Sequence, residues 1–323
     1  TTSLLHIAIV PYVLFLGLLP ALLVLLVGVR APRRIWRFAC AVGSIAVLIL
    51  WIVSTSFTVL WYDKHASRMG SKILPWSYIV NTGRYFNRLA MENREQVLLP
   101  KAHFIAESSS KKDVVVLVIG EAARADRFSA LGYARDTNVF TADQNLIAFP
   151  IGLSCSTNTI SSAACILTHE GRSASSRTTF EPLPSYLKRQ GISTILRTNN
   201  SGPPPMDVDL YQTTAEILAG CTAVDCPKQG YDAVLNWQLS SLIRQTESNR
   251  VFVTLHQTGS HGPAYYNKYP PEFEYFKPVC KTVQIAKCSD EELNNAYDNT
   301  IRYTDSLIAD LITQLERMTD VNA

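Results

Sequence analysis

The chain has 323 residues, of which 47% are hydrophobic, with a formal net charge of +3. That length holds one large domain or two smaller ones. The charge is too mild, and the basic residues too scattered, for a nucleic-acid binder.

The apolar residues are concentrated in the first sixty positions. From Leu4 to Val29 the only ionisable side chains are His6 and Tyr12, and from Phe38 to Tyr62 they are Cys40 and Tyr62. Each stretch exceeds the roughly 20 residues that cross a hydrocarbon core of about 30 Å. Residues 1–62 are therefore predicted to form two transmembrane helices, the first kinked by Pro11 and Pro20. A signal peptide would show a basic leading segment and no second span. The connecting loop carries Arg30, Arg33, Arg34 and Arg37, which the positive-inside rule assigns to the cytoplasm. Everything after Trp61 then lies outside the cytoplasm, and further membrane helices are expected ahead of Thr1.

In residues 63–112 aromatics such as Trp76, Tyr78, Tyr85 and Phe86 interleave with Lys72, Arg84, Arg88 and Arg94. This pattern predicts amphipathic helices at the membrane surface. The run Ser-Ser-Ser-Lys-Lys ending at Lys112 reads as a linker into a soluble domain, residues 113–323.

That domain opens on Val114-Val-Val-Leu-Val-Ile-Gly-Glu121. A short β-branched run of this kind reads as a strand buried on both faces, as in parallel sheets. Glu121 falls just beyond its carboxyl end, where open α/β sheets place ligand-binding groups. A metal ligand or a base is one reading of it; a first-turn acid on a following helix is the other. Ile192–Leu196 and Val251–Leu255 are further strand candidates, with helical spacing over Pro182–Gln190 and Tyr231–Arg244. A long helix is predicted after Ser289. Ser289 and Glu292 make a capping-box pair, and Leu293, Tyr297, Ile301, Leu307, Ile308, Leu311 and Leu315 form a stripe. The alternation predicts a sheet sandwiched by helices. Three strands are few, and another is expected after the last helix.

Apart from Cys40, the cysteines fall as Cys155/Cys165, Cys221/Cys226 and Cys280/Cys288. Local pairs in a domain outside the cytoplasm predict nearest-neighbour disulfides. Thiolate zinc binding is the competing reading, but no second pair at matching spacing supports it. Ser154 to Cys165 holds six hydroxyl residues, and a disulfide would pin this loop at a possible helix start. A helix N-terminus suits a phosphoryl group, and a hydroxyl beside a divalent metal becomes a nucleophile; the bland alternative is a Ser/Thr-rich turn. His256-Gln-Thr-Gly-Ser-His-Gly-Pro263 follows the third strand. In that loop His261 is the better candidate for an anion or a metal, and His256 is equally well a satisfied core histidine.

Gly120-Glu-Ala-Ala-Arg-Ala-Asp126, Gly132-Tyr-Ala-Arg-Asp136, the Cys155-to-Cys165 loop, Asn199-Asn-Ser201, His256 to Tyr265 and Asn295-Ala-Tyr-Asp-Asn299 together resemble the lipid A phosphoethanolamine transferases, which include the colistin-resistance enzymes. The resemblance covers the whole chain. It implies a membrane anchor of the bacterial inner membrane carrying an alkaline-phosphatase-like periplasmic domain. It further implies that Glu121 and Thr159 are Zn2+ ligands, that Thr159 is the nucleophile, and that His261 holds substrate or a second zinc. Phosphatidylethanolamine would be the donor and lipid A or another lipopolysaccharide the acceptor, in a monomer that confers polymyxin resistance. The family's Asp-His-Gly strand-end motif and a later His have no counterpart before Ala323. The sheet and the metal site are thus expected to be incomplete at the C-terminus, and the fragment itself inactive. A sulfatase or glycerol-phosphate polymerase of the same superfamily, or a non-catalytic lipid-binding relative, are the alternatives.

Overall fold

A computed structural model describes residues 13–26, 34–54, 81–83, 85–86, 96–103, 111–149, 151–174, 180–200, 204–219, 221 and 226–323. It divides into two compact units, Thr1–Arg94 and Glu95–Ala323.

In the first unit a π-turn over Val13–Leu18 runs into helix α1, Leu19–Leu26, and α2 spans Arg34–Ser54. Their apolar side chains are exposed, Leu16 at 74% and Phe38 at 72% among them. Among the described residues no helix is long and apolar enough to cross a membrane. The spans read over Leu4–Val29 and Phe38–Tyr62 are accordingly not established by the structure. Most of the interfacial segment over 63–112 lies outside the described residues; within it Tyr85 and Phe86 are helical and meet edge to face at 5.5 Å.

The second unit is built on a five-stranded sheet, β1 Lys112–Ile119, β2 Ser193–Thr198, β3 Leu210–Thr213, β4 Arg250–His256 and β5 Val321–Asn322. The order is β3-β2-β4-β1-β5, and every pair is parallel. Between the strands come α3 Thr159–Leu167, α4 Leu183–Arg189, α5 Thr214–Ala219, α6 Ala233–Asn236, α7 Leu239–Gln245 and α8 Asp290–Glu316. Two strands exceed the sequence expectation. β3 is short and half-exposed, and β5, two residues long, follows the last helix.

Val251, Val253 and Leu255 of β4, with Val114, Val116 and Val118 of β1, pack on Leu239, Ile243 and Leu311 from the covering helices. β4 is the central strand and is buried on both faces. β1 is not: Val115 is 59% exposed, which corrects the reading of that run as doubly buried. A β-branched run specifies a strand but not what covers each face. The helical stretch Tyr231–Arg244 also divides in two. Gln238 adopts a left-handed φ of 52°, so the chain turns between α6 and α7 rather than running through. α8 starts at a complete capping box, Ser289 with Glu292, in which each side chain satisfies the other residue's otherwise orphaned amide.

The three disulfides pair as the spacing indicated. Cα–Cα distances are 6.4 Å for Cys155–Cys165, 6.0 Å for Cys221–Cys226 and 5.7 Å for Cys280–Cys288, and Cys40 is free. Such separations lie within the range that a disulfide spans. The thiolate-zinc alternative falls with them, since a bonded sulfur is no ligand.

Candidate active site

β1 delivers the site. Its last residue, Ile119, pairs with His256, so Glu121 emerges beyond the carboxyl edge beside the end of β4. From there the chain cannot continue straight: Ala122 sits at φ 51°. The turn is fastened from α8. The Tyr297 hydroxyl donates to the Ala122 carbonyl at 2.7 Å and accepts from the Arg124 amide at 2.9 Å. Burial pushes the Tyr297 phenol up to about 12, so it remains a donor at neutral pH.

The loop after β4 closes on the same backbone. Ser260 N–H donates to the Glu121 carbonyl at 2.9 Å, and Thr300 of α8 donates to the Ser260 hydroxyl at 2.6 Å. Gly259 has φ +48°, and a Cβ there would sit 2.7 Å from the Glu121 carbonyl oxygen. Only glycine allows two chains this close in that conformation.

With its backbone held, the Glu121 carboxylate meets two donors. Thr159 Oγ1 donates to Oε2 at 2.9 Å, and Asn200 Nδ2 donates to the same oxygen at 3.2 Å. Thr159 is the first residue of α3. Asn158 caps that helix by accepting from Ser161 N–H at 3.0 Å. The hydroxyl thus stands at a helix N-terminus, hydrogen-bonded to a carboxylate, where first-turn amides and the helix dipole favour an anion. The Cys155–Cys165 bridge links the loop ahead of Thr159 to the last turn of α3. Asn200 spends its other amide hydrogen on the Gln257 carbonyl at 3.0 Å, joining the ends of β2 and β4. Its motif was visible in the sequence, but its contact with Glu121 was not, because nothing in Asn199-Asn-Ser201 tells which way an amide points.

His261 is exposed, and its Nδ1 donates to the Gly262 carbonyl at 2.9 Å. No described contact joins it to Glu121 or Thr159. His256 lies below the edge, 1% exposed, with Nε2 unpartnered and Nδ1 3.5 Å from Thr198 Oγ1. Burial lowers its pKa despite the nearby carboxylates Glu121 and Asp232. A folded-state value below the ordinary ~6.5 means that the unfolded chain binds more protons there. Stability is then complete above about pH 6.5 and declines as pH falls through that value. Thermal unfolding at closely spaced pH between about 7 and 5.5 should show this slope. It should flatten in His256→Asn; an equal slope in the variant would assign the effect to another group.

The Glu121 carboxylate and the Thr159 hydroxyl bring two oxygens within 2.9 Å of each other. Among the described residues no three His, Cys, Asp or Glu side chains converge on a metal position. A catalytic zinc takes three protein ligands. The described residues therefore do not make up a zinc site by themselves.

Two family models match this chain: residues 113–322 match the sulfatase family, and residues 1–90 match the phosphoethanolamine transferase EptA/EptB N-terminal family. A curated relative, phosphoethanolamine transferase EptA of Helicobacter pylori, is 32% identical over 309 residues, which is 94% of this chain and 57% of the relative. The chain belongs to the sulfatase family, and over nearly its whole length it is similar to phosphoethanolamine transferases. Among solved structures, the integral membrane lipooligosaccharide phosphoethanolamine transferase A (EptA) of Neisseria meningitidis superposes with a TM-score of 0.80 at 26% identity, covering 99% of this chain and 61% of that one. The periplasmic domain of EptC from Escherichia coli, solved in complex with zinc, shares the fold at 22% identity and a TM-score of 0.52, over 68% of this chain and 64% of its own. The chain spans about 57% of the length of the curated EptA relative.

Proposed function

We propose that the protein carrying this chain transfers phosphoethanolamine from phosphatidylethanolamine to a lipopolysaccharide acceptor, in the first instance lipid A, through a covalent phosphothreonine at Thr159. The observation that carries this reading is the Thr159 hydroxyl, held at a helix N-terminus 2.9 Å from the Glu121 carboxylate. Thr159 Oγ1 attacks the donor phosphorus, and the bond from phosphorus to the diacylglycerol oxygen breaks. Glu121 orients the hydroxyl and stands where its proton leaves; diacylglycerol departs with a proton. In the second half, an acceptor phosphate oxygen attacks the same phosphorus and Thr159 regains its hydrogen. The first-turn amides of α3 face the phosphoryl oxygens in both halves.

Zinc belongs to this reading, with Glu121 and Thr159 as two of its ligands and the others supplied from outside the described residues. When bound, it would lower the pKa of the threonine hydroxyl. His261, on the exposed loop at the same edge, is assigned to the substrate or a second zinc. Residues 1–62 are read as part of an inner-membrane anchor, 63–112 as its surface helices and linker, and 113–323 as the periplasmic domain. Support comes from the apolar stretches, from the EptA/EptB model over 1–90 and from disulfides that persist only in oxidising compartments. The product carries an added ammonium on an anionic lipid, which weakens binding of polymyxins by charge. The protein is read as a monomer without nucleic-acid partners.

The test is to incubate the full-length protein with zinc and phosphatidylethanolamine, digest it and sequence the adduct by mass spectrometry. A phosphoethanolamine ester is expected on Thr159. An adduct on Ser161 or Ser162, or turnover with none, would remove the proposed intermediate.

A further inference from the structure

Asp232, the residue before α6, is 4% exposed and forms no salt bridge among the described residues. Its carboxylate is satisfied by three N–H groups instead. Oδ1 accepts from Thr258 N–H at 2.9 Å and from Asn199 Nδ2 at 2.7 Å, and Oδ2 accepts from Gly259 N–H at 2.8 Å. Burying a carboxylate with no cation in direct contact is unfavourable unless such donors replace its hydration. What the bonds accomplish is local: they tie the loop after β2 to the loop after β4. Thr258 Oγ1 adds a bond to the Asn199 carbonyl at 2.6 Å, and Asn199 N–H donates to the His256 carbonyl at 2.9 Å.

Both tied loops end on Glu121. The residue after Asn199 is Asn200, whose amide holds Glu121 Oε2. The residue after Gly259 is Ser260, whose N–H holds the Glu121 carbonyl. A shift of either loop would move the carboxylate that receives the Thr159 hydroxyl. We propose that Asp232 is a positioning residue for the transfer reaction: it clamps the two strand-end loops together and so sets Glu121 against Thr159 without touching substrate. The inference rests on the reading of Thr159 and Glu121 given above. No sequence pattern hints at it, since Asp232 stands alone in a helical stretch between Tyr231 and Ala233.

The test uses the full-length protein and Asp232→Asn, which keeps the shape but turns an N–H toward one of the three donors. kcat should fall on the order of 100-fold, the scale of a misplacement of about 1 Å, with KM for phosphatidylethanolamine within about twofold. Asn199→Ala, which removes one of the three bonds, should show the same split at about tenfold and serves if Asp232→Asn does not fold. The deciding readout is a double-mutant cycle with Asn200→Ala. If Asp232 acts through the loops that hold Glu121, one of them by Asn200, the double variant loses clearly less than the product of the two single losses. Multiplying losses, or an unchanged kcat in Asp232→Asn, would overturn the proposal. Hydrogen exchange separates this from failure of the functional reading. If Thr159→Ala keeps full activity, the clamp still predicts faster exchange at Gly259 and Ser260 in Asp232→Asn with β4 unchanged, and equal rates there would end it.

Discussion

Replacing Thr159 with alanine is expected to abolish phosphoethanolamine transfer while leaving the protein folded. The two effects separate because the residue contributes little to packing. It opens α3, where alanine is a better helix former than threonine, and the Asn158 cap on Ser161 does not depend on it. The loss in the folded state is one hydrogen bond to Glu121, about 1 kcal/mol. On the proposed mechanism the loss in the reaction is the atom that would carry the phosphoryl group, and removal of a nucleophile costs on the order of 10^4-fold or more. Thr159→Ser should recover part of the rate, because it keeps the oxygen but loses the methyl group that fixes its rotamer. The measurement is headgroup transfer from labelled phosphatidylethanolamine, with circular dichroism as the folding control. Normal turnover in the alanine variant would exclude Thr159 as the nucleophile and leave its contact with Glu121 a structural one.

The strands that were legible in the sequence are those whose composition leaves no other choice. β1 and β4 are short apolar runs and β2 carries Ile195 and Leu196, and the hydrophobic effect places these three strands at the centre of the sheet. β3 is Leu-Tyr-Gln-Thr, an edge strand whose pairing with β2 depends on the register of its neighbour rather than on its own residues. The break at Gln238 escaped the periodicity for a related reason: Leu235, Leu239 and Ile243 keep the helical spacing although the backbone turns at Gln238. At the site, strand ends and motif residues were readable because chemistry is concentrated there. The neighbours that fix them were not. Asn200 and Asp232 work through the direction of one amide and one carboxylate, and that direction is set by backbone groups far away in sequence. Gly259 marked a turn, but only the fold shows that its missing side chain is what admits Glu121.

Asp298 shows the converse, a motif residue whose work is structural. It is fully buried in α8 and receives Arg135 at 2.8 Å, Arg127 at 3.3 Å and the Tyr133 hydroxyl at 2.8 Å. Arg127, just after the Gly120-to-Asp126 segment, and the Gly132-to-Asp136 segment, both distant in sequence from Asn295-to-Asn299, thereby meet it at one carboxylate. Asn294 and Asn295 accept from the same two arginines, and the Phe276 ring lies 5.0 Å from Arg135. Asp298→Ala leaves two guanidinium groups without their shared anion. Losing one member of a buried pair costs roughly 3–5 kcal/mol, and the partial exposure of both arginines argues for about 3. Against a total stability of about 5–15 kcal/mol this is a large fraction. In a domain of this size the unfolding midpoint should fall by about 6–12 °C. Calorimetry on the purified chain measures it, and a shift below about 2 °C would show that the arginines find other partners or water. Because Tyr297 and Thr300 sit beside Asp298 on α8 and fasten the Glu121 turn and Ser260, activity should fall with stability in this variant. Thr159→Ala, by contrast, should separate the two.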